Sequence, residues 1–298
     1  MCGIVGLYLK DMTLAPQLGH LTALMLSEMS SRGPDSAGFA VYGASDGRTR
    51  VSALSVTGES DWKRYAAALR QALDADVDIE THSDHAVFLT NGDGQAARNW
   101  LMEHAPDVSV LGVGTAMELY KGIGDPDAVA DRLDLASRAG THAIAHTRMA
   151  TESAVTTLGA HPFNTGPDQC LVHNGSLSNH NRLREDLSKR GETFQTENDS
   201  EVAAGYLAWR MREGDGIDEA IGHAIRDFDG FYTFAIGTAD GFAVVRDPIA
   251  CKPAVIAETD AWVAMSSEFR AIDRLPGVKN AEIWEPEPAK IYSWSRAA

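Results

Sequence analysis

Cysteine is scarce in this chain of 298 residues, which contains only three. Cys2, Cys170 and Cys251 are far apart, and none belongs to a Cys-x-x-Cys pair. Such an odd, scattered set indicates neither a disulfide framework nor a cysteine-ligated zinc site. His142 and His146 have a spacing that also occurs in metal sites, but they lie in an alternating stretch that predicts a strand, without further ligands nearby. We therefore expect no metal site.

Basic residues are also few. The chain has 26 Lys and Arg against 42 Asp and Glu, which gives a formal net charge of -16. A chain this acidic lacks the basic face that would meet a nucleic-acid backbone or an anionic membrane. We expect small molecules or other proteins as partners, with no nucleic acid and no membrane.

Long hydrophobic runs are missing as well. The first apolar stretch, GIVGLYL, is far too short to span a bilayer and has no basic residues before it. It therefore predicts neither a transmembrane helix nor a signal peptide. We expect the protein to be cytoplasmic.

The chain does contain a regular succession of predicted strands and helices. GIVGLYL predicts a buried strand, PQLGHLTALMLSEMSSRG a core-facing helix and GFAVYG another strand. Alternating helices and strands at about 55–140 predict a compact α/β insertion. The second half predicts further strands, three helices and two hairpins, with a last strand at AKIYSW. We expect one domain over 1–298, and two antiparallel sheets packed face to face between helices fit this count.

Polar residues and turn formers gather in five short stretches where predicted strands end: MCGIVG, SRGPDSAG, AHTRMATES, VHNGSLSN and ENDSE. Each alone has an ordinary explanation. Cys2 would be a small buried residue of a core strand, Asn174-Gly175 a turn and Asp199-Ser200 a helix cap. Taken together and in this order, the five stretches resemble the class II glutamine amidotransferases, a branch of the N-terminal-nucleophile (Ntn) hydrolases.

The resemblance implies an α+β fold, the four-layer αββα arrangement of the Ntn hydrolases, with the α/β segment inserted. It also implies that removal of Met1 makes Cys2 the first residue and the nucleophile. A thiol has a pKa of about 8.5 and an α-amino group one of about 8, so the new terminus would be a suitable base beside the sulfur. In the family the cysteine attacks the side-chain amide of glutamine, ammonia leaves, and water cleaves the thioester. By match to the His-Asn-Gly motif, Asn174 and Gly175 would supply the oxyanion donors.

Selectivity for glutamine requires a cation for its α-carboxylate and an anion for its α-ammonium group. Arg148 in HTRMAT matches the family's carboxylate-binding arginine, whose planar guanidinium makes a two-point contact. Asp199 in NDSE matches the ammonium-binding aspartate, and Thr151 matches a threonine that assists at the carboxylate. Arg32 belongs to a loop near the active site, where the resemblance implies a supporting role.

A narrower resemblance concerns the partner. The opening MCGIVGLYLKD, the stretch RGPDSAGFAVYG and the insertion before HTRMAT look most like the GlxB-like stand-alone subunits, which include the amidotransferase subunit of N-methylglutamate synthase. That resemblance implies glutamine as substrate and glutamate-synthase-like acceptor subunits in a hetero-oligomer of methylamine metabolism. It implies no cofactor in this chain, since a flavin or iron–sulfur cluster would belong to the partner subunits. An independent amide hydrolase and a non-catalytic structural subunit stay open as alternatives.

Overall fold

A computed structural model describes residues 2–149 and 155–296 of the chain. Strands are numbered β1 to β16 and helices α1 to α8 in chain order within these ranges. Most of the strands belong to two antiparallel sheets, and the remainder form a third, smaller sheet.

The larger main sheet has seven strands in the order β15-β13-β14-β1-β8-β2-β7. Their bounds are Gly3–Leu9 (β1), Ser36–Tyr42 (β2), Met117–Ile123 (β7), His142–Arg148 (β8), Val255–Glu258 (β13), Trp262–Ser266 (β14) and Glu282–Trp284 (β15). Every pair in this sheet is antiparallel. The N-terminal strand β1 is therefore central, and residue 2 lies at its end.

The second main sheet has five strands in the order β16-β12-β11-β10-β9. Their bounds are Phe163–Gly166 (β9), Gln169–Leu177 (β10), Gly230–Gly237 (β11), Gly241–Arg246 (β12) and Ile291–Ser295 (β16). The pairs β11–β12 and β13–β14 are the two hairpins that the sequence predicts, which the structure confirms.

Helices cover the outer face of each main sheet. The first sheet packs against Leu18–Ser27 (α1), Pro126–Arg132 (α4) and Phe269–Ile272 (α8), and the second packs against His180–Lys189 (α5), Asp199–Arg212 (α6) and Ile217–Asp227 (α7). A third apolar cluster lies between the sheets, where Ile4 and Ile144 of the first meet Val172 and Phe242 of the second. The result is the expected α+β fold with four αββα layers.

The third sheet has four strands and its own apolar core, built around Val51, Phe88 and Leu101. Its strands and helices are Thr49–Ser55 (β3), Val77–His82 (β4), His85–Thr90 (β5), Val108–Gly114 (β6), Trp62–Leu73 (α2) and Gly94–His104 (α3). This unit covers 49–114, whereas the sequence pattern places the insertion at about 55–140. The difference arises because β7 and α4 continue the same alternation although they pack on the first main sheet.

Asp168 joins the inserted unit to the main sheets. Its carboxylate accepts hydrogen bonds from the backbone N–H groups of Thr115, Ala116 and Met117, at 2.8, 2.9 and 3.0 Å. The Thr115 hydroxyl donates to the same carboxylate at 3.1 Å. These bonds fix the turn between β6, in the inserted sheet, and β7, in the first main sheet.

We expect Asp168→Ala to lower the free energy of unfolding by about 3 kcal/mol, because it leaves several buried N–H groups without an acceptor. Equilibrium denaturation in urea measures this change. Asp168→Asn keeps one carbonyl oxygen and should lose less. Asp186→Ala, which truncates an exposed aspartate of α5, is the matched control and should leave stability unchanged. An Asp168→Ala protein with the parent free energy of unfolding would contradict the role assigned to Asp168 in fixing the β6–β7 turn.

Within residues 2–149 and 155–296, no helix combines the length and the apolar character that crossing a membrane requires.

Candidate active site

The site forms around the backbone of Cys2, at the start of β1. The carbonyl oxygen of Cys2 accepts a hydrogen bond from Arg32 Nε at 3.0 Å and another from Asn174 Nδ2 at 3.2 Å. Its sulfur lies 4.0 Å from the carbonyl oxygen of Met149. Residues that are far apart in sequence therefore converge on one cysteine, which stays partly exposed.

Asn174 and Gly175 reach Cys2 from the second main sheet, where β10 pairs with β11. Asn174 is buried, with 4% of its surface exposed. Gly175 has a φ of +154°, and a Cβ at this position would lie 2.0 Å from the carbonyl oxygen of Phe231. Only glycine fits so close a backbone approach, so the Asn-Gly pair of the sequence reflects a packing requirement within a strand and not a turn.

Arg32 is held by a carboxylate as well as by Cys2. Its Nη1 lies 2.5 Å from Glu268 Oε1, and Arg270 Nε contacts the other oxygen of Glu268 at 2.8 Å. The same loop supports β8, since the backbone N–H of Asp35 donates to the carbonyl of Arg148 at 3.1 Å. The loop that begins at Arg32 thus fixes the backbone on two sides of the site.

Arg148 is the last residue of β8 and is largely buried, with 8% of its surface exposed. It directly precedes Met149, whose carbonyl faces the Cys2 sulfur. Arg148 is therefore adjacent in sequence to the residue whose carbonyl oxygen approaches the Cys2 sulfur. Thr151 and Met1, which the sequence also singles out, lie outside the described residues.

Asp199 is the first residue of α6, which Asn198 caps by accepting the backbone N–H of Ser200 at 2.9 Å. The Asp199 carboxylate accepts the backbone N–H of Leu177, at the end of β10, at 2.9 Å. This bond holds the carboxylate against the strand that carries Asn174.

Three buried histidines lie beneath the site, and the sequence did not single out their cluster. His146 Nε2 donates to the carbonyl of His173 at 3.0 Å, which joins β8 to β10. The rings of His146 and His161 stack with centroids 4.0 Å apart. Burial lowers the pKa of His146 to about 3 and lowers the pKa of His161 and His173 as well. All three imidazoles are therefore neutral at pH 7.

One sequence signal for this cluster was present. In the strand THAIAHTR, alternation places His146 on the same face as Arg148, which belongs to the candidate site. No group of three or more histidine, cysteine or carboxylate side chains that could hold a metal ion occurs in the part of the chain that the structure describes.

The arrangement can support acyl transfer. A partly exposed thiol lies beside an amide N–H donor, a glycine backbone and a buried arginine, and a carboxylate is anchored to the same strand as the donor. Nucleophile, oxyanion donors and charged groups for an amino-acid substrate are the parts that amide cleavage through a thioester requires.

Comparisons with known proteins agree with this chemistry. A glutamine amidotransferase domain model matches residues 146–274. The glutamine amidotransferase-like protein GlxB of Rhizobium meliloti is 53% identical over 99% of this chain and 98% of its own length. A protein of Methanothermobacter thermautotrophicus, whose name places it among the glutamine amidotransferases, is 32% identical over 98% of this chain and 99% of its own.

Among solved structures, glutamine phosphoribosylpyrophosphate amidotransferase from B. subtilis superposes with a TM-score of 0.63 at 21% identity. The match covers 99% of this chain and 47% of that one, so the chain spans about half the length of this structural neighbour. At this identity the likeness establishes the fold. The full-length match at 53% identity shows that the chain belongs to the GlxB-like glutamine amidotransferases, and its fold is that of the Ntn-type class II amidotransferases.

Proposed function

We propose that Cys2 is the nucleophile with which this amidotransferase hydrolyses the side-chain amide of glutamine. The observation that carries the proposal is the convergence of Asn174 Nδ2 on the Cys2 carbonyl at 3.2 Å, which places an amide donor beside the thiol. An asparagine amide has two N–H donors, so donation to that carbonyl leaves a second one for substrate.

Once Met1 has been removed, the thiol and α-amine of Cys2 and one water molecule account for every proton and bond of the reaction. The α-amine of Cys2 takes the thiol proton as sulfur bonds to the amide carbon, and the oxyanion accepts hydrogen bonds from Asn174 Nδ2 and the Gly175 N–H. The C–N bond then breaks, and the α-ammonium group returns a proton to the departing ammonia. Water attacks the thioester, which releases glutamate and restores the thiol.

Arg148 would bind the α-carboxylate of glutamine and Asp199 its α-ammonium group, with Thr151 assisting at the carboxylate. Support comes from the burial of Arg148, which strengthens a charge-assisted pair, and from the backbone bond that orients Asp199. Arg32 donates to the Cys2 carbonyl and would support the nucleophile through this backbone bond.

We also propose that the chain works as the glutaminase subunit of a glutamate-synthase-like complex, with N-methylglutamate synthase as the specific candidate. The support is the resemblance of the opening, the loop from Arg32 and the insertion to GlxB-like subunits, together with the full-length match to GlxB. Any flavin or iron–sulfur cluster would belong to the partner subunits.

The test follows glutamate release from L-glutamine by the purified chain, first alone and then with glutamate-synthase-like subunits and methylamine. We expect Cys2-dependent release that the subunits accelerate. Robust turnover that the subunits leave unchanged would identify an independent amide hydrolase. The absence of release in both conditions would identify a non-catalytic structural subunit.

A further inference from the structure

The buried hydroxyl of Ser200 contacts two histidines and Asp199 near the site. His161 Nε2 and His173 Nδ1 each lie 2.8 Å from Ser200 Oγ, and Oγ lies 3.3 Å from Asp199 Oδ1. Only 1% of the surface of Ser200 is exposed. The hydroxyl therefore touches the carboxylate proposed for the substrate ammonium group and the imidazole that directly precedes Asn174.

The number of donors and acceptors on each group determines where the protons lie in this cluster. A serine hydroxyl has one proton and two acceptor positions. When that proton points to the anionic Asp199, both imidazole nitrogens must donate N–H to the serine oxygen. His161 then carries its proton on Nε2 and His173 on Nδ1, and burial keeps both rings neutral by lowering their pKa.

The consequence is that Asp199 is attached to β10 at two points. One carboxylate oxygen accepts the backbone N–H of Leu177, and the other is joined to His173 through Ser200. Asn174 and Gly175 lie between these two points on the strand. The backbone bond to Leu177 and the Ser200 hydroxyl therefore hold the carboxylate near Asn174 and Gly175, beside a direct approach of His173 Nδ1 to Asp199 Oδ1 at 3.8 Å.

We propose that Ser200 is a positioning residue for glutamine binding, because its hydroxyl fixes Asp199 relative to Asn174 and Gly175. The proposal rests on the proposed function, in which Asp199 receives the α-ammonium group. It assigns Ser200 a role separate from the helix cap, since the cap uses the backbone N–H of Ser200 and the side chain of Asn198. Ser200 acts through Asp199 and does not touch the reacting atoms.

The experiment measures alkylation of Cys2 by 6-diazo-5-oxo-L-norleucine, a reactive glutamine analogue that carries the α-amino acid group. Iodoacetamide, which lacks that group, serves as the reference reagent. Both are used in a Cys251→Ala background, where Cys2 is the accessible thiol because Cys170 is fully buried. In this background Ser200→Ala should raise the KI of the analogue roughly tenfold. The maximal inactivation rate and the iodoacetamide rate should stay within about twofold.

Two further variants separate positioning from general stability. Ser200→Thr keeps the hydroxyl and should restore most of the affinity for the analogue. Ser52→Ala removes a different buried hydroxyl, which lies on β3 of the inserted sheet and accepts the backbone N–H of Leu119 on β7 at 3.0 Å. It should cost stability without changing KI. If Ser200→Ala does not fold, His161→Leu removes one donor to the same hydroxyl and should raise KI several-fold.

The outcomes distinguish this inference from the function on which it rests. An unchanged KI in folded Ser200→Ala, with normal labelling of the parent, would overturn the positioning role and leave the proposed function intact. A parent protein that reacts with iodoacetamide but not with the glutamine analogue would overturn the proposed function and the inference together.

Discussion

Cys2→Ala is expected to lower the rate of glutamine hydrolysis by at least about 10⁴-fold, as loss of a covalent nucleophile does in other acyl-transfer enzymes. The reason is that no other described thiol can replace it: Cys170 is fully buried between the main sheets, and Cys251 lies in a separate loop. Glutamate release under saturating glutamine measures the loss.

Cys251→Ala is the matched control for this substitution, because Cys251 is an exposed thiol outside the site. We expect it to retain the parent rate. Since the Cys2 side chain is small and only partly buried, Cys2→Ala should unfold at about the parent temperature. A Cys2→Ala protein that hydrolysed glutamine within tenfold of the parent rate would contradict the assignment of the nucleophile.

Asn174→Ala is expected to lower kcat by about 10²–10³-fold with a smaller change in KM, the usual effect of removing one oxyanion donor. The amide donates one N–H to the backbone carbonyl of Cys2. In the proposed function its second N–H binds charge that develops only in the tetrahedral intermediate. The loss should therefore appear in the chemical step. Steady-state kinetics with L-glutamine separate the two constants.

Asn99→Ala, which truncates an exposed asparagine on α3 of the inserted unit, is the control and should behave as the parent. Reaction of Cys2 with iodoacetamide should persist in Asn174→Ala, because alkylation forms no oxyanion. A rise in KM with unchanged kcat would instead assign Asn174 to substrate binding.

The sequence predicted the strands and helices that build the site better than it predicted which of them pack together. GIVGLYL is an unbroken apolar run that is buried throughout, and the first six residues of QCLVHNGSL are buried as well, so β1 and β10 could be recognised locally as core strands. The helix predicted from Pro16 begins at Leu18, because the residues before it form a 3-10 turn, Met12–Gln17. Helix boundaries depend on such local competition and are hard to place from periodicity.

The insertion shows a second limit of prediction from the sequence pattern. Helices and strands alternate from α2 to α4, but the strand β7 leaves the small sheet and pairs with β2 of the first main sheet. Local pattern does not state which sheet a strand joins. The turn that makes the change is fixed by Asp168, a residue more than fifty positions away.

The sequence indicated one member of the histidine cluster, because strand alternation places His146 on the same face as Arg148, but it did not indicate that His161 and His173 meet it. His146, His161 and His173 meet only because the two main sheets pack with one particular register, which places the imidazoles against Ser200 and against one another. By contrast, the pairing of Cys2 with Asn174 was implied by the order of the five polar stretches and by their resemblance to a known family.

The most direct test of Cys2 as a processed, glutamine-directed nucleophile is the intact mass of the protein after reaction with 6-diazo-5-oxo-L-norleucine. Cys2→Ala and Cys251→Ala are treated in parallel. We expect the parent and Cys251→Ala to lack Met1 and to carry one adduct, which Cys2→Ala does not form. A parent protein that keeps Met1 and gains no adduct, even with partner subunits present, would contradict this mechanism and leave a structural subunit.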